Sequence, residues 1–254
     1  PPLPLREDMA RALLDDGTHL YSPDLGIQSL RDALARHWSA CYAAPVVVDQ
    51  VAITSGCNQA FAAVMSALCD AQDEVLLITP WYFNHKMWLD MVGITTVPVP
   101  TGPDLLPDPD DISARITPKT KAIVAVSPNN PAGVEYPRCL LQTLFEIAQT
   151  HGLKLILDET YKDFRSHARA PHSLLQNADW DRTLVQLYSF SKAYRLTGHR
   201  VGAIIGDPAL MPEVEKFIDT VTICPSGLGQ RAALFGLENL DDWVEGERIK
   251  TLKL

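Results

Sequence analysis

The stretch of sequence with the clearest chemical potential runs from Ser189 to Gly202 and contains Lys192. It follows an apolar run, residues 183–188, that predicts a buried strand, so Lys192 would lie just beyond a strand end. Ligands of α/β folds bind at such ends. A lysine at the edge of a mostly apolar site loses its proton more readily than in water, and the neutral amine can attack a carbonyl carbon. We therefore interpret Lys192 as a candidate nucleophile; a solvated surface lysine is the ordinary alternative.

Two residues that flank Lys192 are suited to binding phosphate. Ser189 carries a hydroxyl, and Arg200 carries a guanidinium that can hold two phosphate oxygens at once. Because a phosphate group has several oxygens to satisfy, this pair predicts a second phosphate-binding element elsewhere in the chain.

The small-residue turn at residues 54–60 is the candidate for that second element. It follows an expected strand at 46–53 and leads into an expected helix at 61–69. Free backbone N–H groups and the positive end of the helix dipole bind phosphate at such a turn. A simple helix N-cap is the alternative. The residues that we select, acting mainly through their backbone, are Gly56, Cys57 and Asn58.

Three more candidate residues each follow an apolar run that predicts a buried strand. Tyr82 lies in an aromatic cluster and offers a flat face to a ring, while Asn130 stands between prolines that hold its amide rigid. Asp158 ends its strand, where a carboxylate is costly to bury without a partner. A plain turn and a helix N-cap are the alternatives for Asn130 and Asp158. The preceding runs are residues 74–79, 121–126 and 153–157.

These elements must position the candidate residues together. Strands that alternate with helices predict an α/β fold with a largely parallel sheet covered by helices. The carboxyl ends of parallel strands share one edge of a sheet. We therefore expect one site at that edge, formed by Asn58, Tyr82, Asn130, Asp158 and Lys192.

Composition narrows the possible functions. The chain has 254 residues, of which 46% are hydrophobic and 21% charged, values typical of a globular enzyme. A net charge of −9 without a basic run argues against nucleic-acid binding. The five cysteines form no CxxC pair, which predicts neither a zinc site nor a disulfide framework and is typical of a reducing cytoplasm. With no apolar run long enough to cross a membrane, we expect a cytoplasmic protein that binds no metal, membrane or nucleic acid.

The segment Ser-Phe-Ser-Lys at 189–192, followed by Arg200-Val201-Gly202, resembles the lysine signature of the class I/II aminotransferases of fold type I. Members of that family use pyridoxal phosphate. The resemblance implies that Lys192 holds this cofactor as a Schiff base, and that Ser189 and Arg200 bind its phosphate. The sequence departs from the family pattern at Arg195, where a small residue is usual.

Four other segments resemble motifs of the same family, in the same order along the chain. The Tyr-x-Pro-x-x-Gly loop implies that Tyr21 reaches the cofactor phosphate of a partner subunit; a packing aromatic is the alternative. The aromatic cluster implies that Tyr82 stacks on the cofactor ring. The Pro-Asn-Asn-Pro-x-Gly motif implies that Asn130 donates to the phenolic oxygen of the cofactor. Asp158 would hold the pyridinium nitrogen, and Tyr161 would bond the phenolic oxygen.

The resemblance also implies a domain organisation. Residues 1–231 would form the cofactor-binding large domain, a mostly parallel sheet of seven strands between helices, with a remnant of the N-terminal segment. Residues 232–254 would begin the linker helix to a C-terminal small domain that is largely absent. In the family an arginine of that small domain binds the substrate carboxylate, so no residue is assigned to this role. We expect a fragment whose natural N-terminus lies upstream of Pro1.

The activity that the resemblance implies is a ping-pong transfer of an amino group from an L-amino acid to a 2-oxo acid, in a homodimer with its active site at the interface. The catalytic residues would be Lys192, Asp158 and Tyr161. No arginine occurs at 220–225, which argues against an acidic amino donor and leaves aromatic, apolar and sulfur-containing donors open. Two alternatives use the same fold. One is a C–S β-lyase or a related synthase, and the other is a non-enzymatic ligand-sensing module of a transcription regulator.

Overall fold

The protein, described here by a computed structural model over residues 1–168 and 170–253, is built around one sheet of seven strands. The strands are β1 (Val51–Thr54), β2 (Glu74–Ile78), β3 (Thr95–Val99), β4 (Thr120–Val126), β5 (Lys154–Asp158), β6 (Leu184–Ser189) and β7 (Gly202–Ile205). Their order in the sheet is β1-β7-β6-β5-β4-β2-β3. β7 runs antiparallel to β1 and β6, and the other neighbouring pairs are parallel. The predicted α/β fold with a mostly parallel seven-stranded sheet is therefore confirmed.

Helices cover both faces of this sheet. They are α1 (Leu3–Ala12), α2 (Gln28–Tyr42), α3 (Cys57–Leu68), α4 (Phe83–Met91), α5 (Pro109–Ala114), α6 (Arg138–Thr150), α7 (Phe190–Ala193), α8 (Met211–Thr222), α9 (Gly227–Asn239) and α10 (Asp241–Thr251).

The side chains of β4 show how the two faces are filled. Ile123 and Ala125 belong to the core that includes α2, α6 and α9, whereas Ala122 and Val124 belong to the core that includes α3, α4 and α8. Successive residues of a strand point to opposite faces, so a strand that is covered on both sides has apolar residues at consecutive positions. This double burial explains why the central strands are continuous apolar runs in the sequence.

Two expected boundaries around the small-residue turn are wrong. The strand expected at 46–53 is shorter, because a single helical turn at Val48–Gln50 precedes β1. The helix expected at 61–69 begins four residues earlier, at Cys57, with Gly56 as its N-cap residue. Gly56 adopts a φ of +88°, which a residue without a side chain tolerates, so the chain can turn sharply from β1 into α3.

The helical run expected from residue 232 onward is also wrong. Helix α9 begins earlier, at Gly227, and a break at Leu240 separates it from α10. Leu240 is buried and has the non-helical dihedrals φ −120° and ψ 17°, so its packing into the core interrupts the helix. The expected domain boundary between 231 and 232 falls inside α9, which packs against α1 and α2. Leu254, the last residue of the expected run, lies outside the described residues.

Three observations on residues 1–168 and 170–253 bear on function. None of the helices there is both long enough and apolar enough to cross a membrane. No group of three or more His, Cys, Asp or Glu side chains in those ranges is placed to hold a metal ion. The five cysteines are free thiols.

Candidate active site

A cavity of about 220 Å³ opens at the edge of the sheet where β4, β5 and β6 end. The predicted site residues line it, with the exception of Gly56 and Tyr21. Residues that approach from the strand ends and from the first turn of α3 thus converge as the topology predicts. Four further residues complete the lining without having been singled out in the sequence: Val126, Thr160, Ser191 and Thr197.

Lys192 lies on α7, a single helical turn that follows β6 directly. The Ser189 hydroxyl accepts a hydrogen bond from the Ser191 backbone N–H at 3.2 Å and so caps this turn. The Lys192 Nζ atom lies 5.8 Å from the centre of the Tyr161 ring. Lys192 is exposed, and most of the side chains that line the cavity are polar. The expectation of a mostly apolar site around this lysine is therefore wrong.

Asp158 is the most enclosed charged group of the site, with 3% of its surface exposed. Its Oδ1 atom accepts a hydrogen bond from the Thr160 backbone N–H at 2.9 Å, and its Oδ2 atom lies 3.3 Å from His85 Nε2. Burial raises the pKa of Asp158, but His85 and Thr160 outweigh this effect and hold the pKa below its usual value. Asp158 is thus an ionised carboxylate in a nearly dry position.

His85 is the main contributor that the sequence-based prediction missed. It lies on α4, is buried, and stacks on Phe61 with ring centres 4.0 Å apart. Its edge faces Tyr82 at 5.2 Å, so the aromatic cluster fixes the imidazole beside Asp158. His85 follows the aromatic cluster in sequence, but nothing in the spacing shows that a residue inside a helix points back to the end of β5.

Cys57 contributes its side chain as well as its backbone. Its Sγ atom lies 3.6 Å from Asp158 Oδ2. Burial, followed by the charge of Asp158, raises the pKa of the Cys57 thiol well above its usual value. The thiol therefore stays protonated and acts as a weak donor to the carboxylate.

Arg200 and the start of α3 form a positively charged corner of the cavity. Arg200 has a left-handed backbone with a φ of 50°, and its guanidinium donates to Thr197 O at 2.9 Å. A side chain on Gly56 would collide with this guanidinium, so the glycine allows the arginine to lie directly against the helix N-terminus. The Ser189 and Ser191 hydroxyls line the cavity next to this corner. Together these groups form a site suited to an anion with several oxygens.

Two tyrosines and two asparagines, Tyr82, Tyr161, Asn58 and Asn130, also line the cavity. Burial raises the pKa of both Tyr82 and Tyr161, so both phenols remain protonated donors near neutral pH. Asn58 interacts with the Tyr82 hydroxyl. Asn130 is positioned by its neighbour Asn129, whose amide donates to Pro80 O at 3.2 Å and accepts from Ala132 N at 2.9 Å.

Two of the residues discussed in the sequence lie away from the cavity. Tyr21 is 79% exposed and is not among the described residues that line the cavity of its own chain. Arg195, the departure from the family pattern, has a φ of 54° and extends toward α10, where it pairs with Glu247 and lies over the Trp243 ring at 5.3 Å. The extra side chain at this position therefore links the loop after Lys192 to α10.

The sheet topology and this lysine-centred cavity together define an α/β protein of fold type I. A sequence profile described as "Aminotransferase class I and II" matches residues 2–253. The chain belongs to the class I and II aminotransferase family. Enzymes of this family use pyridoxal phosphate as their cofactor.

Individual proteins of the family show the same similarity. An aromatic aminotransferase of Arabidopsis thaliana, ISS1, is 33% identical over 99% of the chain, and an aspartate aminotransferase of Thermotoga maritima is 31% identical over 93% of it. The chain spans 64% and 63% of the lengths of these two relatives. A solved structure of a tetra mutant of Thermus thermophilus aspartate aminotransferase superposes with a TM-score of 0.90 at 30% identity, over 98% of the chain and 69% of that structure.

Proposed function

We propose that the chain is the cofactor-binding part of a pyridoxal-phosphate-dependent aminotransferase that transfers an amino group from an L-amino acid to a 2-oxo acid. The observation that carries this proposal is the meeting of Lys192, Asp158 and Arg200 in one cavity at the end of three parallel strands. An amine, a buried carboxylate and an anion site are the three groups that this cofactor needs. They interact with its aldehyde, its ring nitrogen and its phosphate.

The residues of the cavity fit the cofactor in charge and in space. Gly56 leaves room for the Arg200 guanidinium at the N-terminus of α3, which supplies the positive charge and backbone donors that a phosphate requires. Ser189 and Ser191 add hydroxyls beside it. The residues that would hold the ring and its substituents are Cys57, Asn58, Tyr82, Asn130, Asp158, Tyr161 and Lys192.

When bound, pyridoxal phosphate supplies an aldehyde that takes up amino groups and a conjugated ring that accepts electrons from the substrate carbon. Lys192 would hold the cofactor at its aldehyde, and its free amine would take the proton from the substrate carbon that bears the amino group. The pKa of Asp158 is held below its usual value, which favours the charged carboxylate, and this carboxylate would hold a proton on the ring nitrogen. Tyr161 and Asn130, which line the cavity, would donate hydrogen bonds to the ring's phenolic oxygen.

We also propose the assembly and the organisation of the intact protein. Tyr21 is an exposed aromatic residue outside the cavity of its own chain, which supports a homodimer in which Tyr21 completes the partner's phosphate site. The packing of α9 against α1 and α2 supports a large domain that extends beyond residue 231, with the linker to a small domain beginning at α10. The five free thiols support a location in the reducing cytoplasm.

The proposal is tested with the intact protein, its Lys192→Ala variant and pyridoxal phosphate. We expect the native protein to form a visible absorbance band that the variant lacks. We expect this band to shift on addition of an L-amino acid, with the matching 2-oxo acid as product. Release of ammonia without the cofactor being aminated would instead indicate a lyase. A band that responds to no amino acid would indicate a sensing module, and absence of a lysine-dependent band would refute the cofactor assignment.

A further inference from the structure

Gln230, on α9, is a fully buried amide that belongs to neither the cavity nor the apolar core. Its Nε2 atom donates to Ser22 Oγ at 2.9 Å and to Pro225 O at 2.8 Å. Its Oε1 atom accepts a hydrogen bond from Ile27 N at 2.8 Å. Side-chain amides have two donors and one acceptor oxygen, so both ends of this residue are satisfied, by two groups 203 and 208 positions away and by Pro225 O five positions away. Such complete satisfaction of a buried amide fixes the segments that it joins.

The three bonds join two surface segments that carry exposed apolar side chains. The first segment contains Leu20 and Tyr21, which are 70% and 79% exposed, directly before Ser22. The second contains Ile223, which is 43% exposed, two residues before Pro225. Ile223 has a φ of 63°, a conformation that is rare for a β-branched residue and persists only where the surroundings impose it. Both segments are thus tied to Gln230.

The start of α9 packs closely against the backbone of two neighbouring segments, one at Thr18 and the other at His199, next to Arg200. A Cβ atom on Gly227 would lie 2.7 Å from Thr18 O, and one on Gly229 would lie 2.6 Å from His199 O. A Cβ atom on Gly26 would likewise lie 3.0 Å from Gln230 Oε1. The start of α9 is thus in close backbone contact with the segment that leads to Tyr21.

We propose that Gln230 is a positioning residue that sets the position of Tyr21 relative to its own chain, and thereby the fit of Tyr21 into the active site of a second copy. This inference rests on the homodimer of the proposed function. Gln230 itself contacts neither cofactor nor substrate. An effect that Gln230 exerts through Tyr21 appears in the active site of the partner subunit.

This expected effect on the partner's active site is tested with dimers of the intact protein in which the two chains carry different substitutions. Each chain has its own affinity tag, so that mixed dimers can be purified. One chain keeps Lys192, and the other carries Lys192→Ala, so that the lysine-dependent absorbance band reports only the site of the first chain. In the proposed dimer that site receives Tyr21 from the Lys192→Ala chain. Gln230→Met keeps the length of the side chain and removes its three hydrogen bonds. The readout is the dissociation constant of pyridoxal phosphate from the lysine-containing site.

With Gln230→Met in the Lys192→Ala chain, we expect this dissociation constant to rise about tenfold, the loss of one hydrogen bond to a charged group. With Gln230→Met in the lysine-containing chain, we expect a change of less than about twofold. Tyr21→Phe in the Lys192→Ala chain should reproduce the larger effect. The two substitutions combined in that chain should be no worse than either alone, because Gln230 acts through Tyr21.

Gln186 is the matched control, since it is an equally buried amide on β6 that bonds Trp38 of α2 and Glu159. Gln186→Met in the Lys192→Ala chain should leave the dissociation constant of the lysine-containing site within about twofold, because Gln186 has no bond to the segment that carries Tyr21. If Gln230→Met prevents the heterodimer from folding, Ser22→Ala removes a single bond to Nε2, and a rise of about threefold is expected in trans.

The outcomes separate the inference from the proposed function. If Tyr21→Phe acts in trans while Gln230→Met acts only in its own chain, or equally in both, the positioning role is refuted and the homodimer stands. If neither acts in trans although the lysine-dependent band forms, both the shared site and the positioning role are refuted. If the band never forms, the cofactor assignment itself has failed.

Discussion

Asp158 and Glu159 are consecutive carboxylates with almost the same exposure, 3% and 1%, but they lie in two different environments. Asp158 points to the side of α3 and α4, where it meets Cys57 and His85 at the cavity. Glu159 points to the side of α2, where it accepts a hydrogen bond from Tyr42 at 2.7 Å and another from Gln186. Successive residues at a strand end face opposite sides of the sheet. Asp158 therefore faces the cavity, whereas its neighbour Glu159 faces the core on the other side.

Both environments lower the pKa of the carboxylate, but only one of them leaves the carboxylate open to a further partner. Burial raises the pKa of Glu159, whereas His172, Tyr42 and Gln186 together hold it below its usual value. The His172 Nε2 atom lies 3.4 Å from Glu159 Oε1, so protein groups surround this carboxylate. Asp158, in contrast, faces a cavity and can accept a further partner. Burial and charge alone therefore do not distinguish the functional carboxylate from the structural one. The difference is that Asp158 faces a cavity in which it can bind a further partner.

The largest effect that we expect is the loss of transaminase activity when Asp158, but not Glu159, is neutralised. Asp158→Asn should lower kcat/KM for transamination by about 10²–10³-fold, because a neutral amide cannot stabilise the charge on the ring nitrogen. The free energy of unfolding should change much less, since the side chain keeps its shape. Steady-state kinetics and urea denaturation measure the two quantities. A loss of activity below tenfold would contradict the role of this carboxylate.

The second effect is a loss of stability, with activity retained, when Glu159 is neutralised. Glu159→Gln should lower the free energy of unfolding by about 2–3 kcal/mol, because hydrogen bonds to a buried charge from Tyr42 and Gln186 are weakened or lost. Its kcat/KM should stay within about threefold of the native value. Urea denaturation followed by circular dichroism gives the stability. If this variant instead lost activity while remaining stable, the contrast between the two sides would fail.

A third, smaller effect is a decrease in the free energy of unfolding at low pH. Both folded pKa values lie below the ordinary values of 3.8 for Asp158 and 4.5 for Glu159. Such groups stabilise the folded chain above the unfolded pKa, and this contribution is lost as the pH falls through the folded pKa. We therefore expect the free energy of unfolding to decline below about pH 4.5. Glu159→Gln should flatten part of this decline, as urea titrations between pH 7 and 3 would show; an unchanged slope would argue against it.

The smallest effect concerns the weak thiol donor on the cavity side. Cys57→Ala should change the dissociation constant of pyridoxal phosphate by less than about threefold, because an S–H group at 3.6 Å contributes little to a carboxylate that His85 also contacts. Tyr42→Phe is the matched variant on the Glu159 side and should cost about 1–2 kcal/mol of stability. Titration with pyridoxal phosphate measures the first quantity, and urea denaturation measures the second. A large loss of cofactor affinity in Cys57→Ala would show that the thiol is a principal partner of Asp158.

Most of the candidate site could be predicted because it follows from local patterns. Continuous apolar runs mark doubly covered strands, and residues that end such strands share one edge of a parallel sheet. This reasoning brings Asn130, Asp158 and Lys192 to one cavity, as the structure has them. The roles assigned to these residues remain predictions until the variants are measured.

What the sequence could not reveal depends on contacts between distant residues. His85 reaches Asp158 from within α4, and Gln230 bonds groups about 200 positions away in the chain. The break at Leu240 and the exposure of Lys192 likewise arise from packing rather than from a local pattern. The sequence by itself determined the order of strands and helices and the residues at the strand ends, because backbone periodicity is local. Only the tertiary structure decided which side chains meet between elements, because those contacts depend on how whole helices pack on the sheet.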